Sequence, residues 1–286
     1  MRVLLTGRNG QVGWELERAL APLGEVIATD RSTLNLADPD MIRRVVREAK
    51  PEVIVNAAAY TAVDKAESEA ELAMKINGLA PGVLAEESKR LGARVVHYST
   101  DYVFDGEKAT PYVEDDEPNP INEYGRSKLA GERAVETTGC RHLILRTSWV
   151  YGGRGRNFLL TILKAARERP ELRVVSDQTG APTSSRSIAR ATAEILRISS
   201  DLDVPAGIYH MTAKGQATWY AFALAILAEF GLRTPIVPIS SEQSPTTACR
   251  PRNSLLDNSK LAATFNIRLP SWQEQLSDLV MRTRGD

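Results

Sequence analysis

The stretch Gly7-Arg8-Asn9-Gly10-Gln11-Val12-Gly13 decides the fold because of what lies on either side of it. The apolar run Val3-Leu4-Leu5 precedes it, and the pattern after it predicts a helix over residues 11–23. Glycines between a strand and a helix allow a tight turn and a close approach of backbone N–H groups to a pyrophosphate. The stretch therefore predicts a dinucleotide-binding turn, whose cofactor contacts are Gly7, Gly10, Gln11, Val12 and Gly13.

Short apolar runs alternate with helical patterns through the first half of the chain. The runs are rich in Val, Ile and Leu, as strands buried on both faces are, and lie at residues 2–6, 25–29, 53–56, 94–99 and 142–146. The helical patterns between them lie at residues 11–23, 39–49, 70–90 and 122–138. This alternation predicts an α/β fold with a Rossmann-type, doubly wound parallel sheet.

The second half is less regular. Helices are predicted among Pro- and Ser-rich stretches at residues 158–169, 187–199, 217–230 and 271–284, and a strand that can join the first sheet at 207–211. Residues 105–120 combine prolines with acidic residues and predict a surface excursion. We expect a dinucleotide-binding domain over 1–150 plus about 185–230. A smaller, discontinuous α/β substrate-binding lobe is expected over about 151–184 plus 231–286.

Composition excludes several classes of function. The 286 residues include 36 Lys and Arg and 36 Asp and Glu, so net charge does not favour a nucleic-acid or membrane partner. No segment approaches the ~20 apolar residues of a membrane span. Cys140 and Cys249 have neither metal-ligand spacing nor a disulfide framework, which favours reduced thiols in a cytoplasmic protein. His97, His142 and His210 lie in apolar runs and are expected to be packed strand residues.

Tyr124 and Lys128 are four residues apart on the predicted helix 122–138 and therefore share one face. Free tyrosine has a pKa near ~10, and a neighbouring ammonium lowers that pKa and favours proton transfer. Thr100 ends the fourth predicted strand, where its hydroxyl can donate to a carbonyl oxygen. Together with the glycine-rich turn, these residues predict a carbonyl reductase that takes hydride from a nicotinamide.

The second predicted strand ends at Asp30, at the distance where a carboxylate meets the adenosine ribose. A carboxylate there favours NADH, whereas Arg8, Arg31 and Ser32 could hold the 2′-phosphate of NADPH. We therefore expect both cofactors to work, with NADPH at least competitive. After the third strand, the small side chains of residues 57–59 allow a cofactor to lie against the backbone.

Seven stretches, in order along nearly the whole chain, resemble the dTDP-4-dehydrorhamnose reductase family of the extended short-chain dehydrogenase/reductase superfamily. They are TGRNGQVGWEL, VNAAAYTAVDKAE, VVHYSTDYVFDG, NEYGRSKLAGE, RTSWVYG, DQTGAPT and RPRNSLL. The resemblance implies NAD(P)H-dependent reduction of the C4 ketone of dTDP-4-dehydro-β-L-rhamnose to dTDP-β-L-rhamnose. It also raises magnesium, with Glu15 as a contributor, and a homodimer. Because no acidic cluster shows ligand spacing, we expect no metal site.

The resemblance also implies a role for individual residues. Tyr124 would be the catalytic acid, Lys128 would bind the nicotinamide ribose, and Thr100 would contact the sugar carbonyl. The other implied substrate contacts are Asp101 and Trp149 at the deoxysugar, Asn157 and Arg250 at the diphosphate, and Gln178 at the thymine. The implied cofactor contacts beyond the glycine-rich turn are Asp30, Arg31, Asn35, Leu36, Ala57, Ala58, Ala59, Tyr60 and Thr61. Asn35 departs from the acidic residue that relatives commonly carry near the adenine.

Other functions are open on the same scaffold, and another nucleotide-sugar reductase is among them. A nucleotide-sugar 4,6-dehydratase or epimerase is a second, but a dehydratase needs a further acid/base pair, and Tyr102 rather than Glu follows Thr100-Asp101. A non-catalytic NADP-binding regulatory subunit is a third, and it has no need of an intact Thr, Tyr and Lys set. Because Thr100, Tyr124 and Lys128 are all present, the reductase is the preferred interpretation.

Overall fold

A computed structural model describes residues 1–199 and 204–285 of the chain. Its strands are β1 (Arg2–Thr6), β2 (Glu25–Ala28), β3 (Val53–Asn56), β4 (Arg94–Thr100), β5 (Arg141–Thr147), β6 (Val150–Tyr151), β7 (Leu172–Val175), β8 (Thr179–Gly180), β9 (Thr183–Ser184), β10 (Gly207–His210), β11 (Ala217–Thr218) and β12 (Ile236–Ile239). Its α-helices are α1 (Gln11–Leu20), α2 (Pro39–Ala49), α3 (Val63–Ala66), α4 (Ala70–Ala73), α5 (Ala80–Leu91), α6 (Glu123–Thr138), α7 (Phe158–Glu168), α8 (Ser185–Ser199), α9 (Trp219–Glu229), α10 (Ser259–Phe265) and α11 (Trp272–Gly285).

Six parallel strands form the central sheet, in the order β10-β5-β4-β3-β1-β2. This confirms the predicted doubly wound α/β fold, including the strand at residues 207–210. Strand order reverses direction between β1 and β3, which makes the carboxyl ends of these two strands the switch point where ligands bind in such sheets. The glycine-rich turn follows β1 and residues 57–61 follow β3, so both lie at that point.

Helices cover both faces of the sheet. Alternate side chains of β1 enter different apolar clusters, because successive residues of a strand point to opposite faces. Val3 and Leu5 pack with Leu16 of α1 and Ile188 of α8, whereas Leu4 packs with α2 and α5 on the other face. A strand buried on both faces has no polar alternation, which is why these strands appear in the sequence as continuous apolar runs.

A second apolar cluster lies in the second half of the chain, where β7 pairs with β12 and the helices α7, α9 and α11 pack together. Phe222 of α9 lies at the centre of this cluster, whereas Leu261 and Phe265 of α10 pack on the central sheet. Packing therefore does not change at residue 230, where the predicted boundary falls. The division into two lobes remains a prediction, and residues 200–203 of it lie outside the described structure.

Two segments differ from their predicted form. The predicted helix 70–90 is interrupted by a π turn at Met74–Leu79, which turns the Asn77 side chain towards the backbone of Tyr60. The predicted surface excursion at 105–120 is anchored rather than free. Tyr112 is buried there, stacks on Phe104 with ring centroids 4.2 Å apart, and its N–H donates to the Leu255 carbonyl.

Candidate active site

The helix α6 carries Tyr124 and Lys128 and lies close to the end of β4. Asn122 caps it, accepting from the Gly125 N–H at 2.8 Å. Glycine is required at position 125, because a Cβ there would lie 2.1 Å from the Tyr102 carbonyl oxygen. Tyr124 and Lys128 of α6 are buried, as are Thr100 at the end of β4 and Asp101 after it.

Tyr124 is an acid held in its protonated form. Burial raises the pKa of its phenol, the Asp101 carboxyl raises it further, and a hydrogen bond with Thr100 opposes the shift. The ring meets Tyr102 edge to face, with centroids 5.7 Å apart. The expectation that Lys128 lowers the pKa of Tyr124 is not met here, because the loss of solvation outweighs every other influence on the phenol.

Lys128 points into the sheet. Its Nζ donates to the Tyr98 carbonyl oxygen at 2.6 Å and lies 3.4 Å from His97 Nε2. Burial lowers the pKa of Lys128 to about 8, against the opposing effect of Glu132 one turn further along α6. His97, which we expected to be only a packed strand residue, is therefore a direct neighbour of Lys128.

Several buried polar side chains lie at the carboxyl ends of β4 and β5. Asp101 Oδ1 accepts from Thr100 Oγ1 at 3.1 Å, and burial raises the pKa of the Asp101 carboxyl to about 6. Within the described chain, Ser99 Oγ and Thr147 Oγ1 are buried and make no hydrogen bond. Buried polar groups are nearly always paired in folded proteins, so these two hydroxyls are available to a polar ligand.

The glycine-rich turn has the shape of an anion cradle. Gly7 has φ 73° and a Cβ there would lie 2.8 Å from the Ala58 backbone, while a Cβ at Gly13 would lie 2.0 Å from the Gly7 carbonyl oxygen. Helix α1 begins with Gly10 as its cap, without a side-chain cap and without an acidic residue in its first turn. The first N–H groups of α1, from Gln11 and Val12 onward, are therefore available to a dinucleotide diphosphate.

The residues predicted to contact the adenosine half of the cofactor follow β2. Asp30 accepts from the Ser32 hydroxyl at 2.6 Å and from the Ser32 N–H, and these bonds lower its pKa to about 2. Arg8 pairs with Glu17 at 2.7 Å, which leaves Arg31 as the exposed basic group at this position. Of the two adenine candidates, Leu36 is buried in the apolar core and the Asn35 side chain accepts from the Ala37 N–H.

Residues after β3 form a half-buried wall beside the turn. Ala57, Ala58, Ala59 and Tyr60 are partly buried and Thr61 is exposed. The Tyr60 backbone is fixed on both sides by Asn77, which accepts from its N–H at 2.8 Å and donates to its carbonyl at 2.9 Å. The wall is therefore rigid where a nicotinamide ribose is expected.

Trp149 and Gln178 are connected through a residue that was not predicted from the sequence, Trp219. Trp149 stacks on Trp219 with centroids 3.5 Å apart, and Trp219 Nε1 donates to Gln178 Oε1 at 3.2 Å. Trp149 has φ 49°, unusual for a bulky residue and typical of functional sites. Position 180 must be glycine, since a Cβ there would lie 2.4 Å from the Trp149 ring.

Arg250 also has a partner that the sequence analysis missed. Its guanidinium binds both carboxylate oxygens of Asp64, at 3.1 and 2.9 Å, and lowers the pKa of that carboxyl. Asp64 lies in α3, just after residues 57–61, and also accepts from the Ala248 N–H. The loop that carries Arg250 is thereby tied to the cofactor side of the site.

The Asn157 side chain, predicted to lie at the substrate diphosphate, is hydrogen-bonded within the protein. Its Oδ1 caps α7 by accepting from the Leu160 N–H, and its Nδ2 donates to Gln11 Oε1 at 2.8 Å and to the carbonyls of Gly152 and Arg154. Both ends of the amide are engaged. Asn157 therefore ties the start of α7 to the first turn of α1, and its contact with the substrate diphosphate stays a prediction.

Known proteins resemble this chain over nearly its whole length. A family model described as RmlD substrate binding domain matches residues 1–284. The dTDP-4-dehydrorhamnose reductases of Burkholderia thailandensis and Escherichia coli K12 are 50% and 45% identical to it, over 96% of this chain and 96% and 95% of their own lengths. The chain belongs to the dTDP-4-dehydrorhamnose reductase family. A crystal structure of the Bacillus anthracis family member in complex with NADP superposes with a TM-score of 0.93, at 35% identity, over 98% of this chain and 99% of that one.

Membership of the dTDP-4-dehydrorhamnose reductase family decides between the functions left open by the sequence. The relatives named above are reductases, and not dehydratases, epimerases or regulatory subunits. Magnesium is not supported, since no group of three His, Cys, Asp or Glu residues in the described ranges could hold a metal ion. None of the helices described here is long and apolar enough to span a membrane.

Proposed function

We propose that this chain catalyses NAD(P)H-dependent reduction of the C4 ketone of dTDP-4-dehydro-β-L-rhamnose, giving dTDP-β-L-rhamnose. One observation carries the proposal: Thr100, Tyr124 and Lys128 are buried together at the carboxyl end of β4 and on α6. The cradle at Gly7, Gly10 and Gly13 fits a nicotinamide dinucleotide, and the Bacillus anthracis relative binds NADP. The relatives' names supply the substrate.

Thr100, Tyr124 and Lys128 each have a separate role in the proposed reaction. Bound NADPH supplies the hydride. The Thr100 hydroxyl orients the C4 carbonyl oxygen, and Tyr124 donates the proton that the emerging alkoxide needs. Burial suits Tyr124 to this direction of reaction, because a raised pKa keeps the phenol protonated before the transfer. Lys128 contacts the nicotinamide ribose and offsets the negative charge left on the phenol.

We propose that the smaller lobe recognises the rest of the substrate. The stacked Trp149 and Trp219 present a flat apolar wall next to Gln178, which suits a sugar and a planar base. Arg250 offers a planar charged fork for the diphosphate. Asp64 holds that fork in place and would give up part of its contact when the diphosphate binds.

A direct assay tests the proposal. Loss of reduced-nicotinamide absorbance is followed with dTDP-4-dehydro-β-L-rhamnose, using NADPH and NADH in separate reactions. Formation of dTDP-β-L-rhamnose with either cofactor is the expected result. Binding of NADPH without any turnover of this substrate would instead favour the regulatory subunit.

The second prediction concerns the choice between NADPH and NADH. Asp30→Ala is expected to raise the preference for NADPH over NADH several-fold, because the ionised carboxylate repels a 2′-phosphate and accepts from a 2′-hydroxyl. The measurement is the ratio of kcat/KM with the two cofactors. Glu25→Gln, which changes an exposed carboxylate at the opposite end of β2, is the matched control. An unchanged ratio in Asp30→Ala would remove Asp30 from cofactor selection.

The third prediction concerns the affinity for the sugar nucleotide, which we expect Arg250 to raise. Charge-assisted hydrogen bonds to an anion contribute about 1.5–3 kcal/mol, so Arg250→Ala should raise KM for the sugar nucleotide roughly ten- to a hundred-fold. The effect should fall mostly on KM, because the diphosphate keeps its charge through the reaction. Arg268→Ala, at an exposed position, is the control. A loss confined to kcat would show that Arg250 does not hold the diphosphate.

A homodimer and a cytoplasmic location remain proposals. The family resemblance supports the first. Cysteine use supports the second, since Cys140 and Cys249 are both free thiols.

A further inference from the structure

A cavity of about 380 Å³ lies between α1, α8 and α11, outside the residues that we assign to the cofactor and the substrate. Its volume is in the range of small-molecule sites, which run from about 300 to 1,000 Å³. Its wall includes residues 152–153 and the polar side chains of Glu15, Ser185, Arg186, Asp278 and Arg282. The cavity is therefore a separate polar site that the proposed reaction does not use.

Arg186, at the start of α8, lacks a hydrogen-bond acceptor in this cavity. Its Nε is buried and donates to no described residue. Burial lowers the pKa of its guanidinium, and so do the neighbouring charges of Arg190 and Arg282. Since arginine stays charged at any physiological pH, this crowding of cations favours an anion beside Arg186.

The acidic residues of the cavity balance these charges only in part. Asp278 accepts from Arg282 through both carboxylate oxygens, at 3.0 Å each, so its charge is already paired. Glu15 is then the remaining carboxylate of the cavity against Arg186 and Arg190. Magnesium, which the family resemblance raises at Glu15, does not fit here, because Mg²⁺ needs oxygen ligands and two arginines beside it would repel a dication.

Ser185 supplies a second group without a partner. It is 2% exposed, lines the cavity, and its hydroxyl makes no hydrogen bond within the described chain. A Cβ at Gly152 would lie 2.6 Å from Ser185 Oγ, so glycine there leaves the hydroxyl open to the cavity. Ser184 caps α8 by accepting from the Ser187 N–H at 3.1 Å, and the other N–H groups of a first helical turn have no partner within the helix. Ser185 and the start of α8 thus add donors beside the guanidinium of Arg186.

We propose that this cavity binds a phosphate group, carried by inorganic phosphate or by a small sugar phosphate. The guanidinium of Arg186 offers a planar fork that matches phosphate oxygens, and Ser185 and the start of α8 add neutral donors. Arg190 and Arg282 add positive charge nearby. The site is distinct from the diphosphate contact proposed for Arg250, so the proposal does not rest on the reductase function.

Isothermal titration calorimetry with inorganic phosphate tests the proposal. The full-length protein is saturated with NADPH, so that the glycine-rich turn is occupied, and one phosphate should bind per chain. Arg186→Gln should weaken this binding roughly ten- to a hundred-fold, because charge-assisted hydrogen bonds are lost. Arg186→Lys keeps the charge without the fork and should recover part of the affinity. Arg44→Gln, which removes an exposed arginine from α2, is the matched control and should bind phosphate as the wild type does.

Two further variants locate the bound phosphate. Glu15→Gln should tighten binding several-fold, because the carboxylate repels the anion. Arg250→Ala, altered at the proposed substrate site, should bind phosphate as the wild type does. Weaker binding in Arg250→Ala, or equal binding in Arg186→Gln and the wild type, would overturn the proposal. So would saturable binding of MgCl₂ that is lost in Glu15→Gln.

A parallel titration with ribose 5-phosphate separates the two sources of the phosphate group. Tighter binding than that of inorganic phosphate, lost in Arg186→Gln, would indicate a sugar phosphate, whereas equal or weaker binding would indicate inorganic phosphate. If neither ligand binds, the proposal fails, and a dimer that dissociates in Arg186→Gln by sedimentation velocity would then assign the cavity to an interface between copies. These measurements use binding alone, so an inactive reductase assay would overturn the proposed function and leave this result unchanged.

Discussion

Tyr124→Phe is expected to lower kcat by about 10²–10⁴-fold, the range that general acid catalysis contributes, while leaving the affinity for NADPH nearly intact. The change removes one hydroxyl and keeps the ring that packs edge to face on Tyr102. The alkoxide that forms at C4 then lacks its proton donor, and Thr100 alone orients the oxygen. Because the phenol acts only as charge develops, kcat should fall much more than KM rises.

Tyr151→Phe is the control for this change. Tyr151 is also buried, its hydroxyl has no hydrogen-bond partner among the described residues, and it packs in the apolar cluster of α7, α9 and α11. Its loss should leave kcat unaltered. Pre-steady-state oxidation of NADPH separates chemistry from product release in both variants. A loss below ten-fold for Tyr124→Phe would remove Tyr124 from the proton transfer.

The sheet was predictable because its signal is local. Each strand buried on both faces is a continuous apolar run, and the helices between show a different period, so the strands before residue 150 fall within one residue of their predicted bounds. The π turn at Met74–Leu79 was not predictable in this way. It depends on Asn77 reaching the Tyr60 backbone and Ser127, partners 17 and 50 residues away.

The site residues also divide into those with a local sequence signal and those defined by contacts between distant residues. Motifs marked Thr100, Tyr124 and Lys128, and the structure buries all three together. Asp64, Trp219 and His97 were missed, because each is defined by its contact with a residue distant in sequence. For Trp219, the aromatic start of the predicted helix 217–230 was a usable signal, since an amphipathic helix rarely exposes so much aromatic surface.

The pKa of Tyr124 shows what spacing alone omits. A Lys four residues away predicts a shared helical face and a lowered pKa. Spacing does not give the solvation of either group, nor the Tyr98 carbonyl that draws the ammonium into the sheet. Burial therefore controls Tyr124, and the effect of Lys128 must be exerted on the phenolate formed during the reaction rather than on the resting phenol.

The buried ion pair between Glu132 and Arg146 gives the largest expected effect on stability. Both side chains are 1% exposed, and the guanidinium donates to both carboxylate oxygens, at 2.9 and 2.6 Å. Removing one partner leaves an uncompensated buried charge, which typically costs about 3–5 kcal/mol. Glu132→Gln should therefore lower Tm by roughly 6–20 °C, at about 2–4 °C for each kcal/mol in a protein of this size.

Variants of Glu132 and Arg146 also allow the effect on stability to be measured separately from the effect on activity. Glu132→Leu combined with Arg146→Met removes both charges and fills similar volume, so it should recover most of the stability lost in Glu132→Gln. Glu194→Gln, which breaks the exposed pair with Arg197 on α8, should leave Tm nearly unchanged and serves as the control. The double variant still lacks the carboxylate that raises the pKa of Lys128, so it should be stable and yet lose activity at lower pH than the wild type. Equal Tm for Glu132→Gln and the wild type, measured by thermal unfolding, would contradict the cost assigned to the unpaired Arg146.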